Sequence, residues 1–310
     1  MRTTLTGEPC NVAHMARRTR QVETPDGRTL RVEVSGAGER VVVAHLGTPN
    51  GGVLYEPWIE DAARRGLTLV TYDRPGYGGS TRLKARAVAD CAEDVRAISR
   101  ALGFERCAVW GFSGGGPHAL ACAALLPELV AAAASIGSPA PADAPGFDYL
   151  ESMVGENRAD VELFRSDREL WEQSGRRDRE TRLDMTAAAL AEAWSPGVSP
   201  GDGELLHSPF GAWLHRAMLA GLEPSADGWI DDSAAFNEPW GADPASIAVP
   251  VKVWHGVDDR FVPVEHGRWL GANIPGAETD IRDGDGHLRV AALRIGDVHE
   301  WLARHAWPTA

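Results

Sequence analysis

Three rhythms of apolar and polar positions run along this chain. Residues 41–45 (Val41-Val42-Val43-Ala44-His45), 67–72, 107–110 and 129–137 are short, nearly continuous apolar runs, which is the pattern of strands buried on both faces. Residues 20–23 and 29–34 alternate with a period of two around Pro25-Asp26-Gly27 and predict a β-hairpin. A helical period governs 85–102, where Val88, Cys91, Val95, Ile98 and Leu102 share one stripe and Gly103 follows as a C-cap. Helices are also expected over 55–65 and 118–126. A hairpin followed by β-α-β-α-β-α-β implies a mainly parallel sheet with helices on both faces.

The rhythm changes over 140–245 and resumes afterwards. That segment holds five of the eleven tryptophans (Trp171, Trp194, Trp213, Trp229 and Trp240) and is interrupted by Pro196-Gly197, Ser199-Pro200-Gly201-Asp202-Gly203 and Pro224. It reads as several amphipathic helices inserted between two strands, a helical cap, with the core formed by 19–139 and 246–310. Strands are then expected at 249–255 and 278–282, bringing the count to eight, with helices at 264–270 and 290–305 and a turn over 284–288. Residues 1–18 show no periodicity and are expected to form a poorly ordered arm, with Met15 an alternative start.

Charge sharpens this division. The chain carries a net charge of −13, and all of it lies in 140–245, where 21 Asp and Glu face 8 Arg. An acidic balance argues against nucleic acid, whose phosphates need a basic face. The bland reading of those carboxylates is solvated helix faces. No window reaches the ~18 uninterrupted apolar residues of a membrane span, and the polar, basic start lacks a secretory signal's apolar stretch. A cytoplasmic protein is therefore expected. Cys10, Cys91, Cys107 and Cys122 have no C-x-x-C spacing and read as packed thiols.

The densest chemical signal lies where the strand at 107–110 meets the next helix with almost no connecting residues. Gly111-Phe112-Ser113-Gly114-Gly115 fits G-x-S-x-G, a sharp strand-to-helix turn that lifts a strained serine above a sheet. A serine hydroxyl needs a base, and the base an orienting acid, here expected in the order Ser, Asp or Glu, His. Such groups should lie beyond the C-terminal ends of parallel strands. Asp258 and Asp259 follow the strand at 249–255, and His287 follows the strand at 278–282. Periodicity does not choose between the two aspartates, and Asp143, after the strand at 129–137, is a weaker third candidate. His299 and His305 fall on the closing helix and read as surface groups, while His118 points down a helix and is not the base. Acyl transfer also requires oxyanion donors: the Gly114 N–H, and one from Leu46-Gly47-Thr48. No phosphate loop, dinucleotide fingerprint or metal-ligand cluster is present, so no cofactor is expected.

With His45-Leu46-Gly47-Thr48-Pro49, Asp73-Arg74-Pro75-Gly76-Tyr77-Gly78-Gly79-Ser80, Gly111 to Pro117, His255 to Pro263 and Gly286-His287 in this order, the chain resembles the α/β-hydrolase superfamily over nearly its whole length. The resemblance implies an eight-stranded α/β-hydrolase sheet and, through the pattern H-G-x-x-D-x-x-V-P, places the acid on Asp259. The family's oxyanion loop reads H-G-x-P. Here Leu46 intervenes, so alignment on Gly47 and Pro49 makes Thr48 the donor, whereas alignment on His45 makes it Leu46. Serine at 113 separates the chain from the epoxide-hydrolase and haloalkane-dehalogenase branches. The implied activity is hydrolysis of a small-molecule carboxylic ester, lactone or thioester. Prolyl-aminopeptidase-like, C–C bond hydrolysing, or non-hydrolytic biosynthetic or binding members are the alternatives.

Overall fold

The computed structural model describes residues 17–308, apart from the side chain of Ser152. Most of the arm expected over 1–18, with Met15 and Cys10, lies outside the described residues; Arg17 and Arg18 do not belong to an arm, because they open the first strand.

Eight strands form one sheet: β1 (Arg17–Glu23), β2 (Thr29–Ser35), β3 (Val41–His45), β4 (Thr68–Tyr72), β5 (Cys107–Phe112), β6 (Val130–Ile136), β7 (Val251–Gly256) and β8 (Glu278–Arg282). Their order across the sheet is β1-β2-β4-β3-β5-β6-β7-β8. The first two pairings, β1 with β2 and β2 with β4, are antiparallel, and the rest are parallel. The period of two appears in how each strand divides its side chains. Val41 and Val43 of β3 join one core cluster, and Val42 and Ala44 join the other.

Twelve helices complete the described chain. Five belong to the alternating pattern: α1 (Glu56–Arg64), α2 (Cys91–Leu102), α3 (Gly115–Leu125) and, after the fourth to tenth, α11 (Val264–Asn273) and α12 (His287–Ala306). The other seven lie between β6 and β7: α4 (Tyr149–Ser152), α5 (Gly155–Ser166), α6 (Arg168–Asp184), α7 (Ala187–Trp194), α8 (Pro200–Leu206), α9 (Pro209–Leu222) and α10 (Asp227–Asn237). Helices α2, α3 and α11 cover one face of the sheet, and α1 and α12 the other. On the second face Trp58 of α1 packs edge-on against Trp110 of β5, with ring centroids 5.4 Å apart, and against Trp213 of α9 at 4.7 Å. The inserted helices are thus anchored directly in the sheet's own core.

Four expectations are corrected. The helix expected from 85 starts at Cys91 after a 3-10 turn, because the chain before it is drawn out to bury Arg86 against Asp232. Residues 284–288 do not form a turn throughout, since α12 already begins at His287. His299 is fully buried rather than a surface group, with Nδ1 3.0 Å from Asp61 on α1, and His305 is half-buried, stacked on Trp301. The inserted carboxylates are not all solvated either: Asp202, Asp231 and Asp232 are buried. Cys91, Cys107 and Cys122 are free and buried, as packed thiols should be. Among the described residues no helix is long and apolar enough to cross a membrane.

Truncating Trp58 should leave a cavity shared by α1, β5 and α9. Trp58→Ala is expected to lower the unfolding free energy by about 3–5 kcal/mol, read from the midpoint of urea denaturation.

Candidate active site

The turn after β5 is built by what its glycines leave out. A Cβ on Gly111 would lie 2.1 Å from the Gly115 carbonyl oxygen, and one on Gly115 would lie 2.0 Å from that of His45, so neither position admits a side chain. The turn is closed so tightly that Ser113 adopts φ +54°, in the left-handed region that a residue with a Cβ enters only at a cost. Two backbone bonds hold it there: its N–H donates to Ile136 at 2.8 Å, and its carbonyl accepts the Gly116 N–H at 2.9 Å. Helix α3 therefore starts at Gly115, three residues earlier than the periodicity suggests.

Beyond β7 and β8 the two remaining candidates meet. His287 Nδ1 stands 2.7 Å from Asp259 Oδ2, across 28 residues of sequence. Asp259 is locked in place: its Oδ1 accepts the N–H groups of Phe261 and Val262 at 2.9 and 2.8 Å, and His255 Nε2 lies 3.4 Å from Oδ2. Burial works against the Asp259 charge, but the neighbouring His287 and the hydrogen bonds from His255 and His287 hold its carboxyl well below the usual range. Burial likewise favours a neutral His287. The Asp259 carboxylate and its hydrogen bond outweigh burial and raise the imidazole pKa above its ordinary value. Asp258 points to solvent and does not cap α11, and Asp143 is also exposed, so neither reaches the imidazole. His118 is buried on α3 with Nδ1 2.9 Å from the Gly114 carbonyl oxygen.

The family model for the alpha/beta hydrolase fold matches residues 40–288, which takes in β3 and the His287 loop at its two ends. The chain belongs to the α/β-hydrolase family. The AB hydrolase superfamily protein YisY of Bacillus subtilis (strain 168) is 27% identical over 265 residues, covering 83% of this chain and 88% of that protein. The bifunctional esterase/perhydrolase DCH of Acinetobacter calcoaceticus is 25% identical over 250 residues, 79% and 83% of the two chains. Among solved structures, the esterase EaEST from Exiguobacterium antarcticum superposes with a TM-score of 0.64 at 20% identity, over 92% of this chain and 98% of its own, and so shares the fold.

Ser113 lies just beyond the C-terminal end of β5, half-buried on the wall of a cavity of about 300 Å³. His287, Gly114, Gly47 and Thr48 line the same cavity, whereas Leu46 is packed into the core beneath it. The inserted helices form much of the remaining wall, through Trp171, Trp194 and Trp229, with Phe261 from the β7 loop. Phe112 and Phe261 flank the His287 ring at centroid distances of 4.9 and 5.2 Å.

Two buried carboxylates of the inserted helices escaped the sequence reading. Asp202 of α8 accepts the N–H groups of Leu288 and Arg289 at 3.0 and 2.8 Å, capping the helix whose first residue is His287. Asp232 of α10 sits among Arg74, Arg86, Tyr77 and Thr48. No local signal marks either residue, because each partner lies more than 80 positions away. Arg74, the one basic residue between Asp73 and Ser80, was the available hint for Asp232.

Strain at Ser113 generates a stability prediction. Ser113→Gly should raise the unfolding free energy by about 1 kcal/mol in a urea titration, since relieving a left-handed non-glycine residue, at ~1–3 kcal/mol, exceeds the ~0.5–1 kcal/mol of glycine entropy.

Proposed function

We propose that this α/β-hydrolase cleaves small-molecule carboxylic esters through an acyl-enzyme. Ser113 is the nucleophile, His287 the general base and Asp259 the residue that holds the imidazole. The observation that carries the reading is the 2.7 Å contact between His287 Nδ1 and Asp259 Oδ2, made on the wall of the cavity that contains a left-handed Ser113. With Nδ1–H committed to Asp259, Nε2 is the nitrogen free to take the serine proton.

The sequence of events follows from these positions. Ser113 Oγ attacks the ester carbonyl as its proton passes to His287 Nε2, and the carbonyl π pair moves onto oxygen. The Gly114 N–H, beside the start of α3, and the Thr48 N–H stabilise that oxyanion. Collapse expels the alcohol, which takes the proton from His287, and water repeats the cycle to release the acid. Thr48 is preferred to Leu46 as second donor because Thr48 lines the cavity and Leu46 does not. Helices α4 to α10 act as a cap whose indole rings favour an apolar acyl or alcohol group. The name of the Acinetobacter relative, an esterase/perhydrolase, supports the same bond class.

One observation favours a second reading, a prolyl-aminopeptidase-like enzyme. Glu156, Asp160 and Asp178 line the cavity and would attract a substrate ammonium, although Arg182 stands among them. Turnover of proline β-naphthylamide in preference to an ester would select it.

Ser113→Ala should reduce turnover of p-nitrophenyl butyrate by on the order of 10⁶; a variant with wild-type rate would remove Ser113 from the mechanism. The base must be neutral, and Asp259 raises its pKa. Therefore kcat/KM is expected to fall on the acid side with an apparent pKa above the ordinary imidazole value of about 6.5. Asp259→Asn should move that limb to lower pH and cost about 10⁴ in kcat.

A further inference from the structure

The inserted helices send one wholly buried carboxylate into the oxyanion side of the site. Asp232 Oδ2 accepts from the Thr48 hydroxyl at 3.0 Å, from Arg74 Nε and Nη2 at 3.0 and 2.6 Å, and from the Tyr77 hydroxyl at 2.9 Å. Its Oδ1 accepts from Arg86 Nη2 at 2.5 Å, with His118 Nε2 at 3.6 Å. Arg74, so gripped, reaches three groups of the loop after β3: the carbonyl oxygen of Leu46 at 2.5 Å, Thr48 Oγ1 at 3.0 Å and, more loosely, the carbonyl oxygen of Gly47 at 3.5 Å. The Gly47 carbonyl also accepts the Asn50 N–H at 2.9 Å. Across a trans peptide the carbonyl and the following N–H point in opposite directions. Turning the Gly47 carbonyl toward Arg74 therefore turns the Thr48 N–H away from it.

We infer that Asp232 is a positioning residue for the oxyanion hole: through Arg74 and the Thr48 hydroxyl it sets the direction of the Thr48 N–H. The inference rests on the ester-hydrolase reading and adds to it a dependence of oxyanion stabilisation on the inserted helices. A carboxylate placed only for stability would not need to hold both the loop's hydroxyl and the guanidinium that binds its carbonyls. The neighbouring Asp231 shows the contrast, since it pairs with Arg82 at 2.7 Å and Arg86 at 3.6 Å and touches nothing in the loop.

The test compares Asp232→Asn, Thr48→Val and Asp231→Asn with the wild type, using p-nitrophenyl butyrate and a benzyl trifluoromethyl ketone. The ketone probes the hole directly: Ser113 Oγ bonds to its carbonyl carbon, the serine proton goes to His287, and the carbonyl oxygen becomes an oxyanion. Concentrations are set by active-site titration, which removes any unfolded fraction. Asp232→Asn and Thr48→Val should each weaken ketone inhibition by about 10–100-fold and lower kcat similarly, with KM within twofold. The double variant should lose less than the product of the two single losses. Asp231→Asn should lower Tm and leave the inhibition constant unchanged. Thr48→Val keeps the test decisive should Asp232→Asn not fold. Unchanged inhibition constants in the folded loop variants, or equal losses from Asp231→Asn, would overturn the assignment alone. A wild type that neither turns over the ester nor binds the ketone would overturn the ester-hydrolase reading, and the assignment with it.

Discussion

The structure depends on the brevity of the link between β5 and α3, which consists of Ser113 and Gly114 alone. A strand that passes into a helix through so short a link must turn sharply, which here uses a residue in the left-handed conformation. Ser113 takes it, and the close approaches at Gly111 and Gly115 are what allow its neighbours to pass. The same tightness brings the first turn of α3 against the loop after β3, so the positive end of one helix and the backbone of one loop border the serine together. A longer connection would relax the serine and separate these groups.

Around that turn, polar groups are held by burial and by charge acting in opposition. Asp259 and Asp232 are both wholly enclosed, yet both remain carboxylates because each is met by several donors: the N–H groups of Phe261 and Val262 with His287 for one, Arg74, Arg86 and Tyr77 for the other. Desolvating such groups is costly, and only near-complete hydrogen bonding offsets it. His118, between Arg74 and Asp232, loses that contest: burial pushes its pKa down to about 3, and it stays neutral. His287 differs because it meets a single carboxylate at hydrogen-bond distance and no guanidinium.

The helices between β6 and β7 are more than a cover for the cavity wall. Trp213 packs into the aromatic cluster of Trp58 and Trp110, Asp202 caps the helix that begins with His287, and Asp232 ties α10 to the loop after β3. Three separate ties make the geometry around Ser113 a joint product of the sheet and the inserted helices. Glycines without room for a Cβ mark one seam: a side chain on Gly221 of α9 would meet the Pro49 carbonyl oxygen at 2.2 Å.

Much of this was legible along the chain, for local reasons. Continuous apolar runs announce strands covered on both faces, and Val41 to His45 and Val130 to Ile136 are indeed buried throughout. A glycine pair around a serine announces a turn too tight for side chains, and Gly103 announces the end of α2, where φ is +77°. Helix starts were less legible, because tertiary bonds move them: Asp202 draws the start of α12 back to His287, and the burial of Arg86 delays α2 to Cys91. Which histidines are buried and which inserted carboxylates leave solvent were decided by the fold alone. The choice of aspartate, open to periodicity, was already available from the family pattern, and it is Asp259 that meets His287. Asp258 and Asp259 are chemically identical neighbours, and His299 looks like any exposed helix residue until α1 supplies Asp61. A side chain's type and spacing are properties of the sequence, whereas its protonation, burial and reach depend on partners that only packing brings within 3 Å.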